Sequence, residues 1–344
     1  MSDLSQTLGF DPAAVTRWFD QLGLRFTGPL RFERIGLGQS NLTYLARDAD
    51  DRRWVLRRPP LGHLLASAHD VAREARIMTA LAATDVPVPQ IFGVAQDPEI
   101  ADAPLVLMEF IDGQVIDTVA TAESLALQRR RQIGLSLPTT LAHVHAVDID
   151  AVGLSDLASR QPYAHRQLKR WAGQWERSKT RELPELDDLT CRLHAAAPEQ
   201  RELSLVHGDF HLRNAIVSRR TGAVIGALDW ELSTLGDPLA DMGTLLAYWP
   251  EPGEDMGDFE ASTLDGFPDR AALARVYLEQ TGRDPHALKY WHALGLWKIA
   301  IIAEGVMRRA MQTRQNKAAS GTPTVKSIDA LVDAAGKVAE AEGI

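Results

Sequence analysis

The stretch His207-Gly208-Asp209-Phe210-His211-Leu212-Arg213-Asn214, followed by Ala227-Leu228-Asp229-Trp230-Glu231, gathers the most reactive side-chain set in the chain. Between them, strands over 215–218 and 224–228 are predicted to flank the turn Arg219-Arg220-Thr221-Gly222. This β-rich island, 204–231, interrupts a half whose pattern is otherwise helical. Asp209, Asn214 and Asp229 offer a carboxylate that can accept a proton and hard oxygen donors that can hold a divalent cation. An alternative reads His207-x-Asp209-x-His211 as a transition-metal site of a hydrolase, which would need further imidazole or carboxylate ligands.

Toward the N-terminus the pattern turns to strands, at 32–35, 42–47, 53–57, 90–95 and 105–109, with one helix among them. The Asp48–Asp51 cluster marks a turn, so the second and third strands should form an antiparallel hairpin. Between the first two strands lies Gly36-Leu37-Gly38-Gln39-Ser40-Asn41, whose backbone N–H groups could sit over phosphates. It is not a dinucleotide-binding fingerprint, since the third glycine is missing and a strand follows; no GxxxxGK[ST] loop occurs either. Arg57 ends the third strand. In the following helix Val71, Ala75, Met78 and Leu81 mark the apolar face, and Glu74, three residues from Val71 and four from Met78, shares it. A carboxylate there needs a partner, and Arg57 is the natural one.

After Asp112-Gly113 the periodicity becomes helical, near 122–147, 163–179, 269–282, 288–312 and 325–342. The chain is therefore expected to divide near residue 110. Between 165 and 181 six Lys or Arg residues face a single acid, Glu176, while 251–269 carries seven acids and no base and reads as a mobile surface loop. Trp171, Trp175, Trp249, Trp291 and Trp297 are expected in the core rather than in an acceptor pocket.

At 344 residues the chain exceeds the usual size of a single hydrophobic core, and 45% hydrophobic with 24% charged residues predicts a folded protein. A net charge of −9 argues against binding nucleic acid through a broad basic face. The single cysteine, Cys191, excludes an internal disulfide and any thiolate-rich metal site, which fits a reducing compartment. Met1–Asp20 lacks the basic start and apolar run of an export signal, so a cytoplasmic location is expected. The most apolar stretch, 293–307, is interrupted by Lys298 and Glu304 and reads as a buried helix rather than a membrane span.

The spacing of Asp209 and Asn214, with a second aspartate after a hairpin, resembles the protein-kinase active-site pattern. From about Phe32 to about Ala310 the chain looks like the aminoglycoside phosphotransferase and choline kinase family. The matches are Gly38-Gln39-Ser40-Asn41, Leu107-Met108-Glu109-Phe110, His207-Gly208-Asp209 with Asn214, Asp229-Trp230-Glu231, and Gly236-Asp237-Pro238 through Asp241. The resemblance implies an α+β, bilobal protein-kinase-like fold. Its N-terminal nucleotide-binding lobe, 1–109, would be an antiparallel sheet with one key helix; its C-terminal lobe, 110–344, would be mainly helical and carry the catalytic loop and acceptor site. It also implies ATP and Mg2+ as cofactors. By position, Asp209 becomes the catalytic base and Asn214 and Asp229 the Mg2+ ligands. Gly36, Gly38, Gln39, Ser40, Asn41, Arg57 and Glu74 become nucleotide-binding residues, with the backbone of Glu109, Phe110 and Ile111 contacting adenine, while His207 and Asp241 support the loop. One departure is Arg57, where the family more often has Lys, and the two are not interchangeable at a phosphate site.

Within that family the chain most resembles the kinase-like domain associated with acyl-CoA dehydrogenases, through Arg57-Arg58-Pro59-Pro60, Arg166-Gln167 with Arg170-Trp171, and Ile302-Ala303-Glu304-Gly305-Val306. That likeness implies a small-molecule acceptor such as a hydroxyacyl-CoA thioester, which the basic 165–181 helix would suit. The acidic 251–269 loop favours instead an aminoglycoside or choline-like amino-alcohol. A nucleotide-binding pseudokinase is the reading of another class, supported by Arg57 and opposed by the intact Asp209, Asn214 and Asp229.

Overall fold

A computed structural model describes residues 8–36, 41–61, 70–157, 161–254, 259–312 and 322–344. The chain resolves into two compact units, one of residues 1–112 joined by the short segment Asp229–Glu231, the other of 113–228 and 232–344.

The first unit is built on a five-stranded antiparallel sheet of β1 (Arg31–Ile35), β2 (Leu42–Arg47), β3 (Arg53–Arg58), β4 (Ile91–Ala95) and β5 (Leu105–Glu109), in the order β1-β2-β3-β5-β4. The expected β2–β3 hairpin forms with Leu42 opposite Arg58 and Arg47 opposite Arg53. Its turn is organised by Asp48, which accepts from the backbone N–H groups of Thr27, Asp50 and Arg52 at 2.8–2.9 Å. Strand alternation on β3 sends Trp54, Leu56 and Arg58 to one buried face and Arg53, Val55 and Arg57 to the other.

On the first face sits α1 (Pro12–Gln21), a helix that periodicity alone does not single out. Asp11 caps it, accepting from Ala14 N at 2.8 Å, with Pro12 at its first position. Phe10, Val15, Trp18 and Phe19 pack with Tyr44, Trp54, Leu56 and Leu107 into one cluster. Each such side chain is worth about 1.5–3 kcal/mol on full burial. Arg58 is tied into this face by Asp102 at 2.7 Å, by the Pro59 carbonyl at 3.0 Å and by the Gly9 carbonyl. The second helix, α2 (Val71–Leu81), is capped by Asp70 and buries Val71, Glu74, Ala75, Ile77, Met78 and Leu81.

The second unit begins with β6 (Gln114–Val115) and two helices, α3 (Val119–Glu123) and α4 (Leu127–His145), where periodicity predicts one helix over 122–147. The break falls where Arg130 donates to the carbonyls of Ala122 and Glu123, satisfying groups a continuous helix would have paired itself. Next come α5 (Tyr163–Ser178) and α6 (Pro184–Ala195), then β7 (Ser204–Val206), β8 (Ala215–Val217), β9 (Val224–Ala227) and β10 (Thr234–Gly236). They are followed by α7 (Pro238–Ala247), α8 (Arg270–Thr281), α9 (Pro285–Gln312) and α10 (Val325–Ala341). Asp269 caps α8 through Ala272 N, and Gly282 ends it at φ +67.

Helix α9 runs through the apolar stretch 293–307, buried as expected, and packs on α7 at glycines. A Cβ on Gly243 would lie 2.3 Å from the Trp291 backbone, and one on Gly295 would lie 2.8 Å from the Gly243 carbonyl oxygen. This close crossing brings Asp241 of α7 and Lys298 of α9 to the same loop, 207–209. The five tryptophans are buried, as expected. The described part of the acidic segment departs from the loop reading: it holds a 3-10 turn at Glu260–Thr263, buries Ala261 and Ser262, and receives the Trp249 indole N–H on Pro268 O at 2.9 Å.

Candidate active site

The first unit holds an electrostatic cluster around Arg57. Its Nη2 lies 3.3 Å from Glu74 Oε2 and donates to Asp229 Oδ1 at 3.1 Å, so the pair inferred from helical spacing forms and a third member joins it. Asn41 Nδ2 donates to Glu74 Oε1 at 3.2 Å. Burial pushes the Glu74 carboxyl up to about 7, with Arg57 opposing and the charges of Asp229 and Glu231 adding to the rise. Asp229 itself is a non-glycine residue at φ +67, a conformation aspartate tolerates better than most.

One oxygen each from Glu74, Asp229 and Glu231 lies within 4.8 Å of the others, a donor set of the hard-oxygen type that suits Mg2+. Glu231 is not among the ligands expected from the sequence, although it sits two residues from Asp229. Gly36 adopts φ +75 at the end of β1, while Gly38, Gln39 and Ser40 lie outside the described residues. Glu109 N donates to Gln90 O at 2.8 Å, and the Arg53 guanidinium stacks 4.3 Å from the Phe110 ring centre; Ile111 follows, half-buried.

In the second unit the loop after β7 is held by its own side chains and by α7. Asp241, fully buried, accepts from His207 N at 2.6 Å and Gly208 N at 2.8 Å, and pairs with His145 Nε2 at 3.2 Å. Burial alone would raise its carboxyl; these partners hold it below the usual carboxylate range. His207 donates from Nε2 to Leu228 O at 2.9 Å and accepts from Asp209 N on Nδ1 at 3.3 Å, which fixes its tautomer. Gly208 stands at φ +85, and a Cβ there would meet Leu232 O at 2.7 Å.

This frame presents Asp209. Its Oδ2 lies 3.4 Å from Asn214 Nδ2 and 3.7 Å from His211 Nε2, while its Oδ1 is buried with no hydrogen-bond partner. Burial works to raise its carboxyl, but His211, Lys298 and His207 outweigh it, so the group is held below the ordinary range and stays ionised at neutral pH. Asn214 Nδ2 also donates to Asp209 O at 2.8 Å, which leaves its side-chain oxygen for another partner. His211 stacks on Tyr248 with ring centres 4.5 Å apart, and Phe259 packs on Tyr248 at 4.6 Å and carries Arg213 at 4.7 Å. A carboxylate held ionised beside an amide side chain is a pair that can take a proton and offer oxygen to a metal.

Three further contributors carry little signal in the sequence. His145 ends α4 and Tyr248 lies just past the end of α7, with no motif at either position. Lys298 stands out there only as an interruption of an apolar run, yet a cation inside a buried helix must meet a partner.

The pattern of the phosphotransferase enzyme family matches residues 31–291. Mouse acyl-CoA dehydrogenase family member 10 is 35% identical over 327 residues, which is 94% of this chain and 30% of that protein. Rat acyl-CoA dehydrogenase family member 11 is 34% identical over 79% of this chain and 35% of its own length, so the chain spans about a third of these curated relatives. Among solved structures, that of a candidate aminoglycoside phosphotransferase of Ralstonia eutropha superposes with a TM-score of 0.76 at 29% identity, covering 96% of this chain and 99% of that one. An aminoglycoside phosphotransferase in ternary complex with ADP and hygromycin B has a TM-score of 0.59 at 11% identity over 94% and 97% of the chains, a likeness of fold. The fold is the α+β, protein-kinase-like one, and the chain belongs to the phosphotransferase enzyme family.

Proposed function

We propose that the protein is an ATP- and Mg2+-dependent kinase that phosphorylates a hydroxyl of a small molecule. The observation that carries this reading is the state of Asp209: held ionised, fixed by its loop, and with its side chain still partly exposed. The Asp209 carboxylate takes the acceptor hydroxyl proton as the acceptor oxygen attacks the γ-phosphorus; a new O–P bond forms, the bond to the β-phosphate oxygen breaks, and ADP leaves. Asn214 and Asp229 are the metal ligands in this account, with Glu231 and Glu74 as further oxygens, and Arg57 supplies a permanent charge to phosphate. Mg2+ would neutralise phosphate charge as it develops on the leaving oxygen. Gly36, Gly38, Gln39, Ser40 and Asn41 would cover the phosphates, and the backbone of Glu109, Phe110 and Ile111 would contact adenine. His207 and Asp241 hold the loop. Positioning and electrostatics supply the rate, as phosphoryl transfer requires.

For the acceptor we favour a hydroxyacyl-CoA thioester, on the strength of the likeness to acyl-CoA dehydrogenase family members. The charge argument from the basic helix is weaker than the sequence suggests. Arg166 Nη2 is spent on Leu235 O at 2.6 Å, Lys179 pairs with Glu176 and Glu182, and Arg181 pairs with Asp329. The amino-alcohol reading loses support in the same way, because Glu254 is occupied by the Arg270 guanidinium and Glu251 accepts from Arg270 N at 3.1 Å.

Mg2+-dependent ADP release from ATP, measured across hydroxyacyl-CoAs, aminoglycosides and choline-like amines, tests the reading. Stimulation by one class names the acceptor. Nucleotide binding with no stimulated turnover by any of them would favour the pseudokinase instead.

A further inference from the structure

Lys298 is 7% exposed in the middle of α9, a costly place for an ammonium unless it is used. Its Nζ donates to the Gly208 carbonyl at 2.6 Å and lies 5.5 Å from the Trp171 ring centre. The small cavity beside it, about 10 Å3, is lined by Tyr163, Gln167, Trp171, Thr244 and Trp291 among others, and no carboxylate lines it. The lysine is thus aimed at one backbone oxygen rather than at an acidic side chain. That oxygen belongs to the Gly208–Asp209 peptide, whose N–H is the one held by His207 Nδ1 at 3.3 Å. The preceding peptide is held through the Gly208 N–H by Asp241 at 2.8 Å. Since Gly208 is free to turn at its φ of +85, nothing in its own side chain would fix the orientation of the plane that carries Asp209.

We propose that Lys298 is a positioning residue for phosphoryl transfer: by gripping the Gly208 carbonyl it fixes the peptide plane from which Asp209 projects. The inference rests on the role given to Asp209 above. Burial draws the ammonium down from its usual range, while Asp209 and Asp241 pull it back up, so a charged Lys298 also lowers the energy of the Asp209 carboxylate. A side chain that only filled the helix interface could be replaced by methionine at little cost to chemistry.

Lys298→Met removes both donor and charge at similar length, and Lys298→Gln keeps a donor without the charge. Both are compared with the wild-type full chain for Mg2+-dependent ADP release, ADP affinity, and amide exchange over residues 205–212 by mass spectrometry. In Lys298→Met we expect kcat to fall roughly 10²-fold, with ADP affinity and the KM for ATP within about twofold, and exchange to rise over 205–212 but not in β2 and β3. Lys298→Gln should recover part of kcat, and it carries the test if the methionine variant does not fold. A kcat within about twofold of wild type in a folded variant, or exchange that rises equally everywhere, would overturn the proposal. Wild-type protein with no turnover at all would instead overturn the kinase reading, with loop exchange still deciding whether the grip exists.

Discussion

Arg57 Nη2 stands 3.3 Å from Glu74 Oε2, and the same nitrogen reaches Asp229, so one guanidinium corner serves two carboxylates. Removing it leaves Glu74, which is almost fully buried, with the Asn41 amide but without its cation. The Glu74 carboxyl is already raised to about 7 against an ordinary 4.5, so it contributes stability below pH 4.5 that is lost as pH rises through about 7. Arg57→Ala raises it further and extends that loss to higher pH. We expect the variant to be less stable by about 3 kcal/mol at pH 8 and by less at pH 6, measured by urea unfolding. Arg57→Lys should come closer to wild type, because the buried Arg57 Nε has no hydrogen bond to lose.

Asp241 satisfies two successive backbone donors, at His207 and Gly208, with its two oxygens. Asparagine can accept from only one of them. Asp241→Asn should therefore destabilise by about 2–3 kcal/mol and reduce turnover more than nucleotide affinity. Equal losses in both would place the effect outside the loop.

Gly208→Ala meets two obstacles, the positive φ and the Leu232 carbonyl oxygen 2.7 Å from the new Cβ. A cost of about 1–3 kcal/mol and a displaced Asp209 follow. Thermal unfolding and ADP release on the same sample check both.

His292 lines the open face between α8 and α9, and burial, helped by Arg270, holds its imidazole down to about 3. Between pH 6.5 and about 3 the unfolded chain binds a proton that the folded one refuses, so stability falls as pH drops through that window. In His292→Gln this slope should be shallower, by at most about 1.4 kcal/mol per pH unit. An unchanged slope would show that other groups set it.

Much of this arrangement is legible in the amino-acid sequence alone. Period-two and helical patterning locates β1–β5, α2 and α8–α10 close to their observed bounds, most cleanly where one face is buried and the other is not, as in β3 and α2. The Arg57–Glu74 pair follows from Glu74 sharing a face with Val71 and Met78. Helices α1 and α6 do not stand out: each is only about three turns long and starts on a short signal, Asp11-Pro12 and Leu183-Pro184. The split between α3 and α4 depends on Arg130 reaching freed carbonyls, and Lys298 on a carbonyl 90 residues away. Periodicity is a local property and does not register such partners. The acidic segment misleads for a related reason, since Arg270, just beyond its last acid, neutralises Glu254.

The central claim is that Asp209 is the base of a phosphoryl transfer. Its most direct test is Mg2+-dependent ADP release by the wild-type protein and Asp209→Ala, with the responsive acceptor present and ADP affinity measured alongside. The account predicts that the variant binds ADP within about threefold of wild type while stimulated turnover falls by about 10³-fold or more. Turnover retained by Asp209→Ala at a comparable rate would contradict it.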